Sequence, residues 1–157
     1  MMSDLNDSYL EILNENTMLP RKRVFMITEA IRSLLETIPY IFVSTADSSG
    51  QPHMAIGEQV TVSGDSLLIF ENWFCPSTLQ NITSNTHVSV VAVEPDTGKG
   101  YQMIGSVVRS ADTAFLNGYD PSVNLPETPQ VLTRFTVKVD KILEFSTGIH
   151  SDIPIAE

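Results

Sequence analysis

The sequence predicts a mainly β protein, an antiparallel sheet or barrel with a few short helices. Three observations predict it. Short runs of β-formers recur along the chain, as in YIFVST (Tyr40–Thr45) and HVSVVAV (His87–Val93). Tight turn signals separate them, at Asp47-Ser48-Ser49-Gly50, at Gly64-Asp65 and at EPDTGKG. The chain between the runs is too short for the crossover helix that each parallel pair needs.

Residues 4 to 16 carry four acids and no base. Leu5, Tyr9, Ile12 and Leu13 fall at helical spacing there, so a short N-terminal helix is expected. A second helix is expected from Thr28 to Glu36. Ile27, Ile31, Leu34 and Leu35 give it one apolar face, Thr28 can cap it, and it ends before Pro39. Tyr40–Thr45 is then a strand and Pro52–Ile56 returns beside it. Glu58–Ser63 alternates, with Val60 and Val62 on one face and Gln59, Thr61 and Ser63 on the other. Ser66–Phe70 follows. Leu79 and Ile82 mark a short helix. His87–Val93 and Tyr101–Arg109 form the next pair, a proline-bearing connection covers Asn117–Pro129, and Val131–Phe145 closes the pattern. This gives six or seven strands, divided as an N-terminal helical segment (1–37), a barrel domain (38–146) and a tail (147–157).

The chain has 157 residues, enough for one core. Apolar residues make up 42% and charged residues 18%, a globular rather than a disordered composition. Nine Lys+Arg stand against nineteen Asp+Glu. That balance argues against nucleic acid and anionic membrane as partners, since both need a basic footprint. Three of the basic residues form Arg21-Lys22-Arg23, readable as a solvated face or as a reach toward a phosphate or a partner subunit. No apolar run reaches the roughly 18 residues of a membrane span, and MMSDLNDSYLEIL lacks signal-peptide character, so a cytoplasmic location is expected. The single cysteine permits no internal disulfide.

The chemistry concentrates in ENWFCPSTLQNITSN, Glu71–Asn85. Pro76 suits the first turn of a helix. The free N–H groups of that turn, with the Ser77 and Thr78 hydroxyls, form a natural anion site, although ordinary capping by Cys75 or Ser77 would also account for them. Trp73 and Phe74 fit either a core or subunit interface or the wall of a flat aromatic ligand. Cys75 sits where a thiol is activated, but His53, His87 and His150 are all distant in sequence, so no nucleophilic role is expected of it. His53 and His87 read as satisfied polar residues of strands. Cys and His do not pair at ligand spacing, so no metal site is expected. GKGYQMIG sits in a hairpin and lacks the third glycine of a nucleotide loop.

In order and spacing, the segment from Ile38 to Val108 resembles the pyridoxamine 5'-phosphate oxidase-like family of flavin-binding split barrels. The matching parts are the first strand with its Asp-x-x-Gly turn and Gln51-Pro52-His53, the strand ending in Phe70, and a linker carrying Ser77 and Thr78. They continue with a helix holding Asn81 and Asn85, a valine-rich strand and a strand containing Gly105. The resemblance implies a six-stranded antiparallel split barrel of Greek-key type. It implies a homodimer with FMN in a groove at the subunit interface. It places Glu71, Asn72, Trp73 and Phe74 along the flavin ring or ribityl chain, Ser77 and Thr78 at the phosphate, and Gln59 and Thr61 toward the polar end of the ligand.

The oxidases hold the phosphate with basic residues near positions equivalent to Gly57–Thr61 and with a lysine in the linker. This chain has Gly57, Glu58, Gln59, Val60 and Thr61 there, and Ser77 in the linker. Charge-assisted contacts are roughly twice as strong as neutral ones. Their absence implies weaker FMN binding, a cation supplied by Lys99, Arg109 or the 21–23 run, or loss of flavin. The pyridoxal-binding segment of true oxidases is not recognisable in IHSDIPIAE. The implied activity is therefore an FMN-dependent oxidoreductase with a small-molecule electron donor or acceptor, not pyridoxamine phosphate oxidation. No catalytic residue is assigned, because the chemistry would belong to the cofactor. A deazaflavin is the other cofactor the resemblance allows. Two rival readings are a binding module without turnover and a barrel dimer that has lost its cofactor, with Trp73 and Phe74 packed at the interface.

Overall fold

The computed structural model describes residues 26–115 and 131–155. The helix expected over residues 4–16, the basic run 21–23 and the connection 117–129 lie outside the described residues. Helix α1 spans Glu29–Thr37, and the Thr28 hydroxyl caps it by accepting from the Ile31 N–H at 3.4 Å. Seven strands follow: β1 (Ile41–Ala46), β2 (Pro52–Gly57), β3 (Thr61–Ser63), β4 (Leu67–Trp73), β5 (His87–Glu94), β6 (Lys99–Phe115) and β7 (Val131–Ser146). Helix α2 (Pro76–Ser84) connects β4 to β5.

All pairings are antiparallel, and the order across the sheet is β2-β1-β5-β6-β7-β4-β3. β5, β6 and β7 form a meander and β4 lies beside β7, the Greek-key arrangement. The sheet cannot be flat. Its first and last strands, β2 and β3, are joined by residues 58–60 alone. Seven strands laid side by side would separate those edges by roughly 29 Å, whereas the link reaches at most roughly 15 Å. The sheet therefore curls until its edges approach. β2 and β3 exchange no ladder hydrogen bonds, so the barrel stays split along that seam.

Seven strands are present where the family resemblance implied six, and the extra one is the three-residue β3. The alternating pattern of Glu58–Ser63 suggested a longer strand, but its first half is consumed in bridging the two sheet edges. β6 runs past Arg109 to Phe115, although Ser110, Ala111 and Asp112 are poor β-formers. Pairing with β7 overrides local propensity there. A Cβ at Gly100 would collide with the Ala92 carbonyl, and one at Gly105 with the Lys138 carbonyl. Those glycines serve close strand packing, which is what GKGYQMIG encodes in place of a nucleotide loop.

The core fills the barrel. Phe70 and Phe135 stack at 4.6 Å between ring centroids, and Trp73 meets both edge-on at 5.7 and 5.5 Å. Val43, Leu68, Val90, Met103 and Val137 are fully buried around them. α1 buries Ile31 and Leu35 against the sheet. It is tied to the β3–β4 turn by the Ile27 N–H, which donates to Asp65 O at 2.7 Å, and by Arg32, which donates to Gly64 O. At the β1–β2 turn the Asp47 carboxylate accepts from Ser49 Oγ, Ser49 N and Gln51 N at 2.7 to 2.9 Å. Those bonds, that of the Ser49 hydroxyl foremost, hold its carboxyl below the usual range. No helix among the described residues is long and apolar enough to cross a membrane.

Candidate functional site

The decisive local event is a bulge near the end of β4. Phe70 pairs with Phe135, but the next pair is Trp73 with Thr133, so three steps on β4 match two on β7. The extra residue lies in Glu71-Asn72, and Asn72 takes a left-handed φ of 53°, which Asn tolerates better than most residues. A bulge shifts the side-chain alternation by one. Leu68 and Phe70 point inward, Glu71 and Asn72 are both exposed, and Trp73 points inward again. Phe74 is then thrown outward and is 62% exposed.

The eight residues singled out from the sequence divide accordingly. Gln59, Thr61, Glu71, Asn72, Phe74 and Ser77 are exposed, while Trp73 and Thr78 are buried. Gln59 and Thr61 line a cleft of about 450 Å³ with Leu35, Glu36, Ile38 and Val60. Gly57, two residues before Gln59, lies against Trp73: a Cβ there would be 2.5 Å from Trp73 Cζ3. This contact sets the β2–β3 link against the end of β4, while the cleft itself contains Gln59 and Thr61 alone of the eight. A larger cleft of about 600 Å³ lies elsewhere, between α1 and the β5–β6 hairpin, and contains none of the eight.

α2 opens at Cys75, with Pro76 as its first residue, and no side chain caps it. The helix is fixed from below by a buried hydrogen bond of 3.0 Å from Asn81 Nδ2 to Thr45 Oγ1. Two buried side-chain polar atoms among the described residues have no hydrogen-bond partner, Trp73 Nε1 and Thr78 Oγ1. They lie two residues before and three residues after Cys75. Buried polar groups are almost always paired, so an orphaned donor on each side of an uncapped helix start calls for a physical account.

Sequence reasoning missed two members of this region. Arg134 on β7 places Nε 2.7 Å from the Glu71 carboxylate. That carboxylate raises the guanidinium's pKa further, first through the hydrogen bond and then through its charge. Of the cations proposed from the sequence, Lys99 and Arg109 lie elsewhere, and the 21–23 run is outside the described residues. Lys99 lines the other cleft. Arg109 is in register with Thr136, Ile69 and Thr61 in turn, three strand spacings or roughly 14 Å from Thr61. The second member is His53, whose Nε2 lies 3.3 Å from Cys75 Sγ. His87 fits the plainer reading, with Nδ1 3.3 Å from Ser106 Oγ. No group of three or more metal-binding side chains is present among the described residues.

A family model, pyridoxamine 5'-phosphate oxidase, matches residues 27–144. The chain belongs to the pyridoxamine 5'-phosphate oxidase family. The family match takes in both helices, all seven strands up to Glu144, and every site residue considered above. No curated protein matches the chain at a significant level. Among solved structures, HupZ of Group A Streptococcus is similar at TM-score 0.60 and 18% identity, covering 80% of this chain and 99% of that one. An FMN-binding protein from Syntrophomonas wolfei is similar at 0.58 and 16%, covering 92% and 95%. An F420 reductase is similar at 0.54 and 20%, covering 73% and 97%. At these identities the likeness speaks for the shared fold.

Proposed function

We propose that this family member is a cytoplasmic homodimeric FMN-binding oxidoreductase acting on a small-molecule donor or acceptor. The observation that carries the reading is the pair of orphaned polar atoms, Trp73 Nε1 and Thr78 Oγ1, bracketing the uncapped start of α2. Family membership supports it, as do similar structures that include an FMN-binding protein and an F420 reductase. The residues present fit an anionic, flat cofactor. The α2 N-terminus would hold the phosphate through its N–H groups and the exposed Ser77 hydroxyl, with buried Thr78 beneath them. Gln59 and Thr61 would bind the polar chain. Glu71, Asn72 and exposed Phe74 would line the ring, with Trp73 behind them as a rigid support. A bound flavin would supply the hydride or electron transfer, while these side chains orient it and exclude water. Exposed Met54 and Ile56 alternate along one face of the edge strand β2, and with Phe74 they offer the apolar surface that a second copy would cover.

The purified protein should show flavin absorbance near 375 and 450 nm, release FMN on heating, and sediment as a dimer. A colourless monomer that takes up no FMN at tens of micromolar would overturn the reading. A second reading, a flavin or flat-ligand binding module without turnover, is favoured by the Glu71–Arg134 pair, which engages a cation beside the β4 bulge with a carboxylate. The rates at which NADH and NADPH reduce the bound flavin separate the two.

That pair gives a prediction of its own. Glu71→Gln removes a carboxylate and releases Arg134 toward the phosphate. FMN affinity should rise roughly tenfold, the scale of one added charge-assisted contact. Fluorescence titration with FMN checks it, and unchanged or weaker binding would place Arg134 outside the cofactor's reach.

A further inference from the structure

We propose that Cys75 and His53 form a hydroperoxide-reactive thiol site, beyond any flavin chemistry and independent of it. Three features combine. The Sγ–Nε2 separation of 3.3 Å is within hydrogen-bond reach for sulfur, so the imidazole tautomer protonated at Nδ1 accepts the thiol proton at Nε2. Cys75 opens α2 without using its sulfur as a cap, so the thiol is committed to His53 rather than to the helix N–H groups. The pair is held from both sides: His53 is fixed opposite Thr45 in the β1–β2 register, and the same Thr45 anchors α2 through Asn81. Cys75 and His53 are both partly exposed, with Cys75 packed at the margin of the core.

The step balances as follows. The thiol hydrogen passes to His53 Nε2, and the thiolate attacks the terminal oxygen of a hydroperoxide. The O–O bond breaks, and the departing oxygen takes the proton from His53 and leaves as water or an alcohol. Sulfur loses two electrons and ends as a sulfenic acid, while the peroxide gains two. Because Cys75 is the chain's single cysteine, no internal thiol can resolve the product. A low-molecular-weight thiol would do so, forming a mixed disulfide and releasing water.

The test treats the purified protein with hydrogen peroxide and dimedone at neutral pH and follows the adduct by intact mass, with Cys75→Ser as the blank. The same chain unfolded in urea supplies the reference rate of an unassisted thiol. The native protein should react at least about tenfold faster than the unfolded chain, and His53→Asn should lose that advantage. A native rate equal to or below the unfolded one overturns the proposal without any variant. An unchanged rate in a folded His53→Asn protein overturns the role of the imidazole.

Discussion

Trp73→Ala should destabilise the protein by about 3–5 kcal/mol, the cost of emptying an aromatic core site. For a chain of this size that is a fall of roughly 6–20 °C in Tm. Trp73 is 6% exposed, packs edge-on against Phe70 and Phe135, and fills the space beside Gly57. Removing it leaves a void that Gly57, having no side chain, cannot fill. Its neighbour supplies the contrast: Phe74→Ala should change stability by no more than about 0.5 kcal/mol in the monomer, because Phe74 packs outward. Thermal unfolding of the two variants decides the matter. Equal, small effects would show that the bulge does not turn Trp73 into the core.

Ser77→Asp should move two measurements in opposite directions. Ser77 is exposed in the first turn of α2, where a carboxylate favours the helix by up to about 1 kcal/mol. The same charge opposes a phosphate bound there, at a cost of roughly 2–3 kcal/mol for like charges near a protein surface. FMN binding should weaken by roughly a hundredfold while Tm holds or rises. General damage to the fold could not produce that combination. FMN affinity equal to wild type would move the phosphate away from the start of α2.

Much of the architecture was legible because it is written locally. Thr28 caps α1 as its position before Ile31 suggests, and the Asp47 and Gly64-Asp65 turns fall between the strands they separate. The failures share one cause, a contact between residues far apart in sequence. Strand alternation in SLLIF stops at Phe70 because the bulge shifts the phase, and nothing in Glu71-Asn72 announces that shift. Trp73 was therefore open to either a ligand wall or the core, and only its packing against Phe135 on β7 places it inside. Arg134 reaches Glu71 across 63 positions of chain. His53 and Cys75 meet only because the β1–β2 register and the Asn81–Thr45 bond bring a strand under a helix. Alternation around His53 gave a residue on a strand, with no sign of the thiol opposite it.

The split seam has a consequence for motion. β6 is flanked by β5 and β7 along its first half, so opening it breaks two ladders at once. β2 and β3 each hold a single partner, and β3 contributes three residues. The amides facing the seam should therefore exchange with solvent before those of the β5–β6–β7 centre, an order that hydrogen exchange checks. Gln59 and Thr61 sit on that edge, while α2 is bolted to β1. The barrel thus joins a lightly paired edge to a doubly paired centre.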